Sequence, residues 1–224
     1  MASPRPPSAG TKAAKARILA AARREFLKKG FAEASLREIA RQAGLTTGPL
    51  YWHFRDKEDL FGALVAPAWD ALFALHAKSV ERYRAVPDAD RVAHAIDSGR
   101  AFVDDMIGLV RANRTSFRLL LRCADGTRWA GPPLALAKAE SEGIGLYEAS
   151  LRASGSSSLP PLPDAVWIEL ASGMCAAVLV VAVDGDDEDT VRETVHRIHD
   201  FYVAGVFAAS GIPLDGALAR LTHP

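Results

Sequence analysis

Ala40 and Gly44 stand four residues apart within residues 35–54, and this pair constrains the fold more than any other feature of the chain. A small residue lets two helices cross closely, and a residue tolerant of positive φ lets the backbone turn sharply between them. Around the pair, Ile39, Ala43, Leu45, Leu50 and Phe54 recur as an inward-facing apolar set. Ser35-Leu36-Arg37-Glu38 has the S-x-x-E spacing of a capping box and is expected to start the first helix. Thr46 is placed to cap the second, with Pro49 in its first turn, where the missing N–H costs little. Thr46, Thr47, Tyr51, Trp52 and His53 are left facing outward.

Helical periodicity continues on both sides. Over residues 11–29, Ile18, Leu19, Ala22 and Phe26 share one face. Gly30 then supplies a stop, with Phe31 placed to touch Phe26 as in a Schellman cap. The run D-K-E-D, residues 56–59, reads as a cap plus an acidic first turn, opening a fourth helix to about residue 84. Further helices are expected near 91–111, 115–123 and 133–153. The segment 154–163 (SGSSSLPPLP) reads as a loop by composition. Asp164 is expected to cap a helix to about 183, and a last helix spans about 188–209 after an acidic turn. No alternating strand pattern persists and no internal repeat is visible, so an all-α fold is expected.

The net charge is zero, but its distribution is uneven. Residues 1–60 carry twelve Lys and Arg against six Asp and Glu; the remainder carries fifteen against twenty-one. A basic N-terminal third suits a phosphate-facing surface. Cys123 and Cys175 lie far apart and form no C-x-x-C pair. That speaks against a disulfide framework or a zinc knuckle and fits a reducing, cytoplasmic setting. Residues 1–10 read as a disordered tail without the apolar stretch of a signal peptide. The uncharged run 170–183 is about 14 residues, short of the ~20 that span a bilayer, so no membrane is expected as a partner.

The second helix of the Ala40–Gly44 motif is suited to enter a DNA major groove about 12 Å wide. Thr46 and Thr47 hydroxyls serve phosphates or base edges, and Tyr51 and His53 can donate to phosphate oxygens. Arg37 can reach a phosphate or grip a guanine, and Lys57 lies where a helix N-terminus favours an anion. A helix-turn-helix also occurs in purely structural bundles, and a Tyr-Trp-His-Phe run also serves as plain core. The combination of cap, alanine, glycine, apolar locks and aromatic run favours duplex DNA.

Residues 11–60 resemble the DNA-binding domain of the TetR (tetracycline repressor) family, most specifically L-T-T-G-P-L-Y-W-H-F-R-D-K-E-D-L at 45–60. The resemblance implies a three-helix head over 11–55, a connecting helix over 56–84, and a larger helical ligand-sensing and dimerisation domain over 85–224. It implies that Arg37 contacts base or phosphate. Thr46, Thr47, Gly48 and Pro49 would lie nearest the bases, Tyr51, Trp52 and His53 would grip the backbone, and Lys57 would contact a phosphate. Pro49 departs from the family, which more often has Ser or Thr there, so a hydroxyl contact is lost. The function implied is that of a repressor binding a palindromic operator in double-stranded DNA as a homodimer and released by a small-molecule effector.

The final two helices are the expected dimer interface. The last places Val191, Val195, Ile198 and Tyr202 at helical spacing, and its neighbour is apolar nearly all round, with Val166, Leu170 and Val178 among its residues. Two such helices per subunit make a four-helix bundle about a two-fold axis; the alternative is that both are core of a monomer. Phe102, Met106, Phe117, Trp129, Trp167 and Met174 are candidates to line an effector cavity, with ordinary core as the alternative for each. His94, Arg118 and Arg122 are candidates to anchor a polar group. H-E-x-x-H, G-x-S-x-G, S-x-x-K and P-loop patterns are absent, and Gly143-x-Gly145 follows no strand, so no enzyme is expected. His196 and His199 have an i, i+3 spacing but no matching acidic or cysteine partner, so neither a metal nor a cofactor is expected. A helical protein that uses its N-terminal bundle to bind other proteins is the remaining rival.

Overall fold

The computed structural model describes residues 9–153, 155, 160, 162–209 and 211. Most of the 1–10 tail and of the 154–163 loop lies outside the described residues. Among those described, the chain is all-α: α1 Ala9–Glu33, α2 Leu36–Gln42, α3 Thr47–His53, α4 Lys57–Arg84, α5 Asp88–Ala112, α6 Arg114–Arg122, α7 Pro132–Ala153, α8 Asp164–Asp184 and α9 Glu188–Ala209. They form two compact units, residues 1–69 with 115–131 and residues 70–114 with 132–224. Residues 115–131, expected in the C-terminal domain, therefore belong with the N-terminal helices.

The first unit is built on an apolar core of Ile18, Phe26, Ile39, Leu50, Phe61 and Phe117, all fully buried. Phe61 meets Phe26 edge-on at 5.1 Å and Phe31 at 5.5 Å, a geometry that favours aromatic quadrupoles. Gly30 bends the end of α1 at φ +75°, and Phe31 stacks on Phe26 as expected. The Phe31 amide donates to the Cys123 carbonyl, 3.1 Å away beyond α6. A Schellman pattern ends α2, where Gly44 N–H donates to Arg41 O at 3.0 Å and Leu45 N–H to Ala40 O at 2.9 Å. Gly44, at φ +65°, is the left-handed residue this pattern needs.

The capping box at α2 is half made. Ser35 Oγ accepts from Glu38 N–H at 3.5 Å, but Glu38 spends its carboxylate on Arg41 and Gln42. The Ser35 amide instead helps to hold the Glu25 carboxyl of α1 below its ordinary pKa. At α4 the expected cap is present: Asp56 Oδ1 accepts from Asp59 N–H at 2.7 Å, and Asp59 accepts from Arg55 N–H at 3.0 Å. Ser116 ties α6 into this unit by donating to the Leu64 carbonyl at 2.8 Å.

In the second unit, Arg111 and Arg114 collect the carbonyls that end α8. Arg114 donates to Val183, Asp184 and Gly185, and Arg111 to Gly185 and Asp186, which satisfies acceptors a helix C-terminus otherwise leaves orphaned. Charged pairs lace α5 to α9: Arg100 with Asp200 at 2.7 Å, and Arg192 with Asp104 at 2.6 Å. Asp187 caps α9 by accepting from Thr190 N–H at 2.7 Å. Asp164 does not cap α8; Pro163 holds that position and Asp164 lies in the first turn, where its charge meets the helix dipole. At 21 residues with a window of mean hydropathy 2.2, α8 is long and apolar enough to cross a membrane, as is α4. The uncharged run 170–183 is the C-terminal part of this helix, which begins at Asp164 as expected. Trp167, Cys175, Val178, Leu179, Ala182 and Val183 of α8 lie in the core of this unit.

Candidate nucleic-acid interface and internal cavity

Leu50 and Phe54 are buried and lock α3 against the first unit. A helix of seven residues held on that side presents the rest to solvent: Tyr51 is 56% and Trp52 69% exposed. Large aromatics left this open form a ready contact surface. Trp52 is held edge-on to His53 at 4.7 Å. Partial burial, and then the charge of Lys15, pull the His53 pKa below its ordinary value. Thr46 takes the N-cap position of α3 but makes no side-chain cap bond, contrary to expectation, and it is exposed. Gly48 is exposed, and Thr47 and Pro49 are half-buried. Arg37 is exposed on α2 and makes no ion pair among the described residues.

Lys57 is committed differently from expectation. Its Nζ donates to the carbonyls of Ala32 at 2.7 Å and Ala34 at 3.2 Å, and lies 4.8 Å from the Phe31 ring centre. Two of three ammonium donors are thus spent inside the head. Sequence reasoning missed two other cations: Arg17 donates to the Gly44 carbonyl at 3.0 Å, and Lys15 sits over the Phe54 ring at 5.6 Å. Their signal was the basic N-terminal half of α1.

The second unit holds a cavity of about 230 Å³. Phe102, Trp167 and Met174 line it. Met106, Phe117 and Trp129 do not. Phe117 and Trp129 are buried in the first unit, where Trp129 lies 6.1 Å from Phe61 and against Gly62, whose missing Cβ leaves the ring room. Met106 is buried away from the cavity. His94 is exposed, and Arg118 and Arg122 belong to the first unit. The polar lining comprises Ser79, Tyr83, Ser98, Glu140, Tyr147, His199 and Tyr202, and none of these was foreseen as cavity lining. Its one legible trace is the helical spacing of Glu140, Gly143 and Tyr147 on α7.

The expected dimer residues divide. Val178, Val191 and Val195 are at most 2% exposed, so they are core of their own unit and have no surface to offer a partner. Ile198 is half-buried, and Tyr202 is half-buried and lines the cavity. Val166 and Leu170 are exposed, as are Val180 and, at 73%, Phe201. The exposed apolar surface of α8 and α9 therefore keeps Val166 and Leu170 of the assigned residues and adds Val180 and Phe201. His196 faces Asp104 at 3.0 Å and His199 faces Asp200 at 3.1 Å, so the two histidines bond to separate carboxylates.

An exposed short helix set behind a glycine turn, joined to an all-helical second unit, defines a helix-turn-helix protein. Residues 18–64 match the family model described as bacterial regulatory proteins, tetR family. The chain is 44% identical over 62 residues to the transcriptional regulator TtgR of Pseudomonas putida, covering 28% of each chain. It is 45% identical over 51 residues to the transcriptional repressor BepR of Brucella suis, covering 23% of this chain and 24% of that one. These matches span under a third of the relatives' length. A solved regulator from Aquifex aeolicus shares the fold with a TM-score of 0.53 at 15% identity, over 81% of this chain and 95% of that one. The similarity to the tetR family of bacterial regulatory proteins thus lies in residues 18–64, the helices that carry α3.

Proposed function

We propose that this protein is a transcriptional repressor that binds a palindromic operator as a homodimer in the cytoplasm and is released by a small molecule held in the cavity of its second unit. The observation that carries the reading is the open face of α3, where Tyr51 and Trp52 stand exposed beside the uncapped Thr46. A folded monomer gains nothing from leaving two large aromatics in water, whereas a phosphate backbone offers acceptors for the phenol and indole groups. One short helix reads only a few base pairs, so two heads related by a two-fold axis are needed to specify a site. The exposed apolar stripe of Val166, Leu170, Val180 and Phe201 supports α8 and α9 as that contact. The tetR-family match and the name of BepR support repression.

The test is selection of random duplex DNA by the purified protein, followed by salt titration of the winner. A palindrome is expected, with affinity falling about 10³–10⁵-fold between roughly 50 and 200 mM salt if some 6–10 phosphates are contacted. A folded protein that enriches no sequence refutes the proposal.

A further inference from the structure

The lining of the cavity is mostly apolar, with Phe102, Trp167 and Met174 among its walls, and no Lys or Arg among its residues. Its one charged side chain is the Glu140 carboxylate. His76 Nε2 stands 3.0 Å from Glu140 Oε1, within ion-pair range, but out of line for a hydrogen bond. Glu140 has no hydrogen-bond donor among the described residues. On the same face of α7, the Tyr147 hydroxyl is buried and unpartnered. Burial pushes its pKa up, so it stays a neutral phenol. A buried polar group without a partner costs about 1–3 kcal/mol, which a ligand group placed opposite it recovers.

His199, only 3% exposed, adds a second acceptor. Its Nδ1 lies 3.1 Å from Asp200 Oδ1, and Asp200 is gripped through both oxygens by Arg100. A carboxylate only accepts, so Nδ1 carries the proton and Nε2 is left as a lone-pair acceptor. Nε2 packs against Gly99, and both residues line the cavity. Burial, the largest influence on His199, draws its pKa down and keeps the ring neutral.

An apolar chamber whose polar groups are a carboxylate, an imidazole acceptor, phenols and the hydroxyls of Ser79 and Ser98, and which offers no cationic side chain, selects against anions and for N–H donors. We propose that the cavity binds a hydrophobic organic cation, an aromatic or bulky aliphatic amine whose ammonium group is taken by Glu140. This rests on the reading of the cavity as the effector site.

Three probes of one shape decide it: 2-naphthylmethylamine, 2-methylnaphthalene and 2-naphthoate, titrated calorimetrically into the full-length protein at neutral pH. The amine is expected to bind about ten- to a hundredfold more tightly than the neutral hydrocarbon, the range of a charge-assisted hydrogen bond in a protected site, with naphthoate weakest. Glu140→Gln is expected to erase that preference while leaving methylnaphthalene binding unchanged, which also shows that the variant's cavity is intact. Equal binding of all three probes, tightest binding of naphthoate, or an amine preference that survives Glu140→Gln overturns the proposal but leaves the cavity a binding site. No binding of any probe to the folded wild-type protein overturns the proposal and the effector-site reading together. The wild-type comparison stands without the variant if Glu140→Gln does not fold.

Discussion

Lys57 Nζ lies 2.7 Å from the carbonyl oxygen of Ala32, so the first residue of α4 closes the end of α1. The same ammonium reaches Ala34 and the Phe31 ring, and removing it strips a charged donor from two carbonyls at once. Lys57→Met is expected to lower the stability of the head by about 1–2 kcal/mol, measured by urea denaturation. Loss of DNA affinity with no change in the urea midpoint would make Lys57 a phosphate contact and nothing more.

Gly44 holds φ +65° at the turn, and a Cβ there would meet Arg17 Nη2 at 2.5 Å. Gly44→Ala is therefore expected to destabilise the head by about 1–2 kcal/mol through left-handed strain, with Gly44→Val costing more. A thermal scan of each variant checks the order. Wild-type stability in Gly44→Val would contradict the turn geometry.

Trp52 is 69% exposed, so Trp52→Ala has little folded-state packing to lose. Its stability is expected to stay within about 0.5 kcal/mol of wild type. If α3 lies on DNA, its affinity for operator and for unrelated duplex falls by similar factors, since backbone contacts carry no sequence information. The salt slope stays unchanged because indole releases no counterion. Gel-shift titrations at several salt concentrations read both quantities.

Glu25 is 2% exposed and is held by Lys29 at 2.8 Å, Gln42 at 3.1 Å and the Ser35 amide. These partners, Lys29 foremost, hold its pKa below the usual 4.5 in the folded protein. A carboxylate depressed on folding stabilises above its unfolded pKa, and that stability is lost as pH falls from about 4.5 through the lower folded value. Glu38 acts in the same direction, drawn down to about 2 by Arg41. Glu25→Gln is expected to be less stable than wild type at pH 7, with the gap closing in acid. A constant gap from pH 7 to pH 2 would remove Glu25 from the acid limb.

Phe201 and Val195 lie on the same helix with opposite exposures, 73% and 0%. Phe201→Glu is expected to fold, to run as a monomer in light scattering, and to lose most operator affinity. Val195→Glu, which buries an unpaired charge, is expected to unfold the second unit. A dimeric Phe201→Glu protein would place the subunit contact elsewhere.

The sequence by itself determined the helices, the turn and the outward face of α3. Local chemistry fixes these: caps, glycine conformation and apolar period act within a few residues, and the head is small enough that one apolar face leaves one solvent face. The tertiary structure decided what long-range partners control. Gly30 suits a Schellman cap by itself, while Phe31 bonds Cys123 because α6 packs into the first unit. Val191 and Val195 have the period of an interface, yet periodicity does not say which of two apolar neighbours a stripe meets, and here it meets its own core. Glu140, Tyr147 and His199 come from two helices far apart in sequence, and no local pattern announces that they face one chamber. Side-chain identity within a few residues sets backbone geometry, whereas a cavity is defined by what the packing of distant helices leaves unfilled.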